Sequence, residues 1–592
     1  MSVCSYCGAE LDASAKFCME CGAPVHQIKK CIQCGIELPL KAKFCLGCGA
    51  PQEGGAAAGG ADIKQNCSQR WAVQAKNEIV VDCNGQGDAT KVSEALQYAK
   101  DGTTVIVHSG IYRDSFVVDK DITIYGEDSG KGLPIIWNDT EDNHFVMQVN
   151  ANAKISDLIL QGAKTPFTIE FEYPERPEDK TPWEWWPRVV EINSSCTLKN
   201  INACNSAGHG FAIAGEGVEP QINGCKSYDN RRMGFWVINK AKPIVTMCES
   251  YSNLIHGFSV IEGAFTLIKS SKIYNNQKTG LWISDQGNAE IEQSKVYNCG
   301  VDGINVRDEN SSLAVNNCSV YENKEDGICI CYSGNAKIEN CKLEKCGNNG
   351  IHIYEKGKGT IISCNIYDNN QNVKAKRFNS RWEICVCDED SLANINCCKI
   401  GTCYENKTDY GSGCSLENGA KCIIENSTIQ SNRSCAALSC EASSFDIKHS
   451  HFVGCGDEDC GIDADGIQIT RGSDGKIEDC FLTGKNNGLF IENSKVMIND
   501  GTITSQSSCE GIQINAVNPN QARTEEKSTV RFIGATIENG IYTMGEFGDN
   551  EYAYLEEIRL ENCILVNKGI SEYDMNKLVG KLVMINTSFE ER

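Results

Sequence analysis

The sequence predicts an all-β solenoid of stacked rungs, and three observations predict it. Small side chains at Cys225, Cys248, Ser271, Ser294, Cys318, Cys341 and Cys364 return every 23 or 24 positions. Glycines at 210, 234, 257, 280, 303, 327 and 350 keep the same step, each followed by Phe, Leu or Ile. Short apolar–polar alternations fill the space between the two columns. Such a period marks units that bury themselves only against their neighbours.

Bulk properties narrow the function classes. No apolar run in the 592 residues approaches transmembrane length, and the opening MSVCSYCGAE lacks the basic and apolar regions of a signal peptide. A formal net charge of -23 argues against a nucleic-acid binder held by phosphate contacts. The 35 cysteines could form a secreted disulfide framework, but Ser replaces Cys freely within the repeat column. Small buried thiols in a reducing cytoplasm are therefore the expectation.

The N-terminal element is a duplicated cysteine unit, over residues 1–25 and 28–51. Cys4-x2-Cys7 and Cys18-x2-Cys21 form the first copy, Cys31-x2-Cys34 and Cys45-x2-Cys48 the second, with ten residues between the pairs of each. Two such turns bring four thiolates into a tetrahedron, which Zn2+ favours at about 2.3 Å per sulfur. Units this small bury little core, so the expectation is two structural Zn2+ ions that supply folding energy. The units resemble the double zinc ribbon, down to KAKFC-x2-CGAP. That resemblance implies contact with a protein partner.

Residues 52–62, QEGGAAAGGAD, read as a flexible linker. From residue 78 a strand, a Gly-containing turn and a short helix follow, with Val92, Ala95, Leu96 and Ala99 on one side of the helix. A helix here covers the exposed edge of the first rung. The quoted features GQGD, EAL and GTTVIVHSGIY resemble the opening of pectin-lyase-like right-handed parallel β-helices. The resemblance implies that fold, with an N-terminal helical cap, over residues 78–592. Its function is left broad, since lyases, esterases, epimerases and plain repeat scaffolds share the fold.

Further columns fall near Leu158 and Ile201, and near Cys398, Ser427, Ser450, Cys480, Gly501, Ala535, Cys563 and Thr587. They imply about seventeen rungs, or roughly 80 Å at about 4.8 Å each. Asn230, Asn253, Asn276, Asn323 and Asn369 form a repeated turn position, read as structural amides. Insertions at 163–188, 371–383 and 454–465 interrupt the period at one place in the rung, so they project along one edge.

The strands after the glycine column carry the candidate face. Phe235, Val237, Ile304, Val306, Ile351 and Ile353 point inward, whereas Trp236, Ser259, Trp282, Asn305, Cys329, His352 and Cys385 point outward. The next outward column holds Arg307, Cys331, Tyr354 and Cys387. Trp236 and Trp282 as exposed aromatics, with Asn305, Arg307, His352 and Tyr354, suit a peptide or glycan groove. The alternative is that the loop bearing Trp183, Trp185 and Trp186 folds down and buries them.

Asp302 and Asp326 share a column one rung apart, so they can share a proton, bind a cation or serve as acid and nucleophile. Asp-Gly is also a common turn pair. Asp463 and Asp465 offer a second acidic spot. Arg307, Cys329 and His352 complete the weak catalytic candidates, with a Cys329–His352 thiolate–imidazolium contact allowed by register. Cys331, Cys385 and Cys387 crowd the same area and could instead hold a soft metal. The GHG at 208–210 lacks the Asp motifs that accompany GHG in polygalacturonases, so His209 is not read as catalytic.

The functional expectation is a non-enzymatic recognition or scaffold protein, with ribbons contacting a protein partner and the β-helix face binding a peptide or glycan. The alternative is a carbohydrate-active lyase, hydrolase or epimerase acting on an acidic polysaccharide.

Overall fold

The computed structural model describes residues 77–138, 144–162, 186–371, 382–401, 413–431, 436–455, 464–506, 509–517, 526–545, 554–570 and 572–591. It also gives two short antiparallel pairs near the N-terminus. The chain divides into two compact units, Met1–Gln74 and Ala75–Arg592. In the first, Ser2–Val3 pairs with Glu10–Leu11, and Ile28–Lys30 pairs with Glu37–Pro39. Each hairpin thus flanks the first cysteine pair of its unit. Cys4, Cys7, Cys18, Cys21, Cys31, Cys34, Cys45 and Cys48 themselves lie outside the described residues, as does the 52–62 segment.

The second unit is a parallel β-helix. Its repeat is clear in the rung that starts at Ile328. Strand Ile328–Cys331 runs into a turn where Tyr332 and Ser333 hold positive φ, at 49° and 69°. Strand Asn335–Glu339 follows, then a corner at Asn340, a third strand Lys342–Glu344, and a second turn back to Ile351–Ile353. Every strand pairs in parallel with its counterpart one rung away. Alternation puts Ile328, Ile330, Ile338, Leu343, Ile351 and Ile353 in one continuous core, all fully buried.

The small-residue column occupies the corner between the second and third strands. Its side chains do two jobs there. Cys248 Sγ donates to the Thr246 carbonyl at 3.3 Å and accepts the Cys225 N–H at 3.2 Å. Ser271 does the same, donating to Lys269 O at 2.7 Å and accepting the Cys248 N–H at 3.0 Å. A thiol or hydroxyl satisfies both backbone groups, which is why Cys and Ser interchange.

The glycine column has a different cause. None of these seven glycines has positive φ. A Cβ on Gly280 would lie 2.6 Å from the Gly303 carbonyl oxygen, and one on Gly257 would lie 2.7 Å from that of Gly280. The turn packs backbone on backbone too closely for a side chain.

At the second turn the amides stack. Asn230 Nδ2 donates to Asn253 Oδ1 at 3.0 Å, and Asn253 Nδ2 to Asn276 Oδ1 at 2.9 Å. Outside, Tyr228, Tyr251, Tyr274, Tyr297 and Tyr321 stack with centroids 4.9–5.0 Å apart. Helix Val92–Tyr98 caps the first rungs, burying Val92, Ala95 and Leu96. Near the other end lies a short helix, Glu572–Lys577, that the sequence reading did not include. No helix among the described residues is long and apolar enough to cross a membrane.

Candidate functional site

The outward ladder forms in the expected register. Trp236 faces Ser259, Ser259 faces Trp282, and Trp282 faces Asn305 across adjacent strands. Asn305 then faces Cys329, Cys329 faces His352, and His352 faces Cys385. Ile328–Cys331, Ile351–Ile353 and Ile384–Cys387 present these groups on a rigid sheet, held from behind by buried isoleucines and valine.

The register does not make every outward residue accessible. Trp236 is only 4% exposed, against the expectation of an open aromatic. The His209 ring stacks on it at 4.3 Å, and Ala212 and Ile238 pack beside it. Burial, with the nearby Arg232 and Arg188 cations, holds His209 neutral, well below its usual pKa. Trp236 is therefore part of a satellite core. Trp183 and Trp185 lie outside the described residues, and Trp186 carries the Arg232 guanidinium 3.8 Å above its ring.

Trp282 is partly exposed and donates Nε1–H to Ser284 Oγ at 2.9 Å. Arg307, 31% exposed at its side chain, lies 5.3 Å from the Trp282 centroid and 4.3 Å from that of Tyr332. Tyr354 completes this surface, its ring 4.6 Å from that of His352. A cation framed by aromatic faces is thus presented at the rim.

Beneath it lies the acid–base cluster. Asp302 Oδ2 accepts from Asn305 Nδ2 at 2.8 Å, and Oδ1 accepts the Asp326 N–H at 3.1 Å. Asp326 Oδ1 accepts the Asn349 backbone N–H at 2.9 Å and its Nδ2 at 3.0 Å. The other oxygen, Oδ2, lies 3.0 Å from His352 Nδ1. Part of each carboxylate therefore serves the turn, as Asp-Gly pairs do. The remaining oxygens engage the outward side chains Asn305 and His352.

Burial and then repulsion from Asp326 push the Asp302 carboxyl up to about 7. Asn305 Oδ1 is buried without a hydrogen-bond partner. Burial disfavours the His352 imidazolium, but the Asp326 carboxylate and the Cys387 thiol outweigh it and raise His352 to about 10. Cys387 is lowered to about 6, first by the Cys385 thiol and then by His352, while Cys385 is raised. Of the Cys385–Cys387 pair, Cys387 is the more acidic thiol.

The imidazole partner differs from the expected one. His352 Nε2 lies 3.6 Å from Cys387 Sγ, whereas Cys329 Sγ turns to Cys331 Sγ at 4.0 Å. The expected Cys329–His352 contact is corrected to Cys387–His352. His352, Cys385 and Cys387 offer three metal-ligating atoms within 4.8 Å of one another.

Glu383 belongs to the surroundings and was missed by sequence reasoning. Its side chain is buried, raised to about 8 chiefly by burial, and accepts Asn369 Nδ2 at 2.6 Å. Aligning Trp382-Glu383-Ile384 on Asn349-Gly350-Ile351 places it in the glycine column, a signal hidden by the insertion. The Arg188–Glu191 pair, bonded at 2.7 Å, was also missed. Of the second acidic spot only Asp465 is described; it accepts the Asn487 N–H at 3.0 Å. A surface depression lined by Asp229, Arg231, Ser252, Leu254, Asn275 and Gln277 includes no member of the Asp302–Cys387 cluster.

Comparison with known families identifies both parts of the chain. Residues 189–335 and 260–464 match the model of a right-handed β-helix region, and residues 4–49 match the double zinc ribbon. The chain therefore carries a right-handed parallel β-helix region and an N-terminal double zinc ribbon, a module that implies zinc coordination. No curated protein matches the sequence.

Solved structures resemble it at low identity. The A-module of mannuronan C-5 epimerase AlgE6 from Azotobacter vinelandii is 13% identical, covering 77% of this chain and 93% of its own, with a TM-score of 0.32. The periplasmic alginate epimerase AlgG is 12% identical over 59% of this chain and 72% of its own, at 0.28. The catalytic domain of a GH87 α-1,3-glucanase is 11% identical over 57% and 63%, at 0.33. These likenesses concern fold.

The expectation of a non-enzymatic recognition or scaffold protein is corrected on the site's own geometry: a buried carboxylate, an imidazole and a thiol meet at this face, which favours a catalytic role.

Proposed function

We propose that the β-helix is a carbohydrate-active enzyme, acting as a lyase, hydrolase or epimerase on an acidic polysaccharide at the Asp302–Asp326 cluster. The observation that carries this reading is the carboxyl pair itself. Asp302 is held near pKa 7, next to Asp326 and against the outward Asn305. A carboxyl poised there exchanges a proton near neutral pH, which each of the three reactions requires. Arg307 at the rim supplies a cation for a sugar carboxylate, and Tyr332 and Tyr354 supply aromatic surface for sugar rings.

We also propose that each ribbon half binds one structural Zn2+, through Cys4, Cys7, Cys18 and Cys21 in the first and Cys31, Cys34, Cys45 and Cys48 in the second. The C-x2-C spacing and the short strand pairs on either side of these two segments support this. In this reading the ribbons dock a protein partner, the rungs number about seventeen, and the protein works in a reducing cytoplasm. The free thiols among the described residues, most of them buried, support the last point.

The test is turnover of acidic and neutral glycans by the full-length chain, read by reducing ends, unsaturated products and epimer ratio. Turnover of an acidic polysaccharide, lost in Asp302→Asn with the fold intact, is expected. Absence of turnover across the panel, or equal rates in the variant, overturns the reading.

A further inference from the structure

We propose that His352, Cys385 and Cys387 form a third metal site, a Cys2His centre for Zn2+ or a cation of similar softness, with its fourth position open to the outward face. The argument starts from register. His352 and Cys385 are direct partners on adjacent parallel strands, and Cys387 is the next outward residue after Cys385. Three donors therefore stand on two neighbouring rungs of one sheet, whose backbone positions are set before any ion arrives.

The distances suit a metal. The three donor atoms lie within 4.8 Å of one another, with Cys387 Sγ 3.6 Å from His352 Nε2. A tetrahedral ion with Zn–S near 2.3 Å and Zn–N near 2.0 Å spaces such donors by about 3.5–3.8 Å. Small side-chain adjustments close the difference.

The outer contacts suit it as well. Asp326 Oδ2 takes up His352 Nδ1 at 3.0 Å, leaving Nε2 aimed at the thiols. Asp326 is in turn fixed by both N–H groups of Asn349. A ligating histidine backed by a hydrogen-bonded carboxylate is the arrangement that orients imidazole toward Zn2+.

These two cysteines also differ from the structural ones. Cys248, Cys318, Cys341 and Cys364 sit at the inner corner and bond backbone groups. Cys385 and Cys387 lie on the outward sheet, where corner duty does not account for them. Cys385 is 3% exposed and forms the floor. His352 and Cys387 are partly exposed and leave the remaining side open. Thiolate and imidazole donors favour Zn2+ over Ca2+ or Mg2+. The site stands independently of the carbohydrate reading, because metal content is measured without substrate.

The experiment uses the full-length chain purified without chelator. Zinc per chain is measured for wild type, Cys387→Ser, His352→Ala and the control Cys331→Ser, with circular dichroism confirming the β-helix. The ribbons contribute equally to all four. Loss of one equivalent in Cys387→Ser and His352→Ala, but not in Cys331→Ser, is expected. Equal zinc in all four proteins overturns the site. Iodoacetamide footprinting of wild type gives a second readout that needs no variant. Cys387 should be protected until a chelator is added; rapid alkylation unaffected by zinc or chelator identifies a free thiolate and overturns the proposal.

Discussion

His352 Nδ1 lies 3.0 Å from Asp326 Oδ2, joining the outward face of one rung to the turn of the rung before it. This contact decides how the cluster is used. It directs His352 Nε2 away from Cys329 and toward Cys387, and it leaves Asp302 to face Asp326 from the other side.

Asp302 sets the first prediction, which concerns pH. Its folded pKa is raised from the usual carboxylate value to about 7. Its stabilising contribution is therefore complete below about pH 4 and is lost as pH rises through about 7, because the folded state holds the proton longer. Relative to wild type, Asp302→Asn should gain thermal stability as pH rises from 4 to 8. Melting curves at paired pH values check this, and a constant difference would contradict it.

Turnover gives the second prediction. Removing the proton carrier in Asp302→Asn should lower kcat on an acidic polysaccharide by roughly 10²–10⁴-fold. Arg307→Ala should instead raise KM by about 10-fold with a smaller effect on kcat, if the guanidinium serves binding alike in ground and transition states. Steady-state kinetics on both variants separates the two roles.

The corner column predicts an asymmetry between polar and apolar replacements. Cys318 Sγ donates to Asn316 O at 3.3 Å and accepts the Ser294 N–H at 3.4 Å. Cys318→Ser should be nearly neutral, whereas Cys318→Val should cost about 1–3 kcal/mol by leaving buried backbone groups unpaired. Denaturant melts of both variants test it; equal stability would argue that volume alone matters.

Gly280→Ala should destabilise more than its modest size suggests. The added methyl would meet the Gly303 carbonyl oxygen at 2.6 Å and Val296 Cγ1 at 2.7 Å. Spreading two rungs costs about 1–3 kcal/mol. Ala at the exposed Gly102, which has positive φ and open space around its Cβ, provides a comparison in which only backbone strain acts.

Asn253→Leu should cost roughly 2–4 kcal/mol, since its buried amide serves several partners at once. Asn253 Nδ2 donates to Ser227 O, Ser250 Oγ and Asn276 Oδ1, and its Oδ1 accepts from Asn230. Hydrogen exchange should rise first at the 230–276 turns, with the distant rungs unchanged.

The fold was legible in the chain because a solenoid writes its geometry as a period. The step from Gly257 to Gly280 to Gly303 is the rung itself, and it places Asp302 beside Asp326 and His352 beside Cys385. The cap helix was legible for the same reason, through one apolar stripe at Val92, Ala95 and Leu96. Glu383 was hidden because the insertion before it broke the count.

What the sequence determined by itself is therefore the backbone neighbourhood of each residue. A fixed rung length and a two-residue alternation leave little freedom in which strand meets which, or in which face a side chain leaves. Only the tertiary structure decided which atoms meet. Trp236 leaves the outward face but is buried under His209, while Trp282 stays partly open beneath Arg307. His352 bonds Asp326 on one nitrogen and reaches Cys387 with the other, although Cys329 is its neighbour in the ladder. Rotamers and stacking settle these choices, and they depend on packing across several rungs that no single repeat contains.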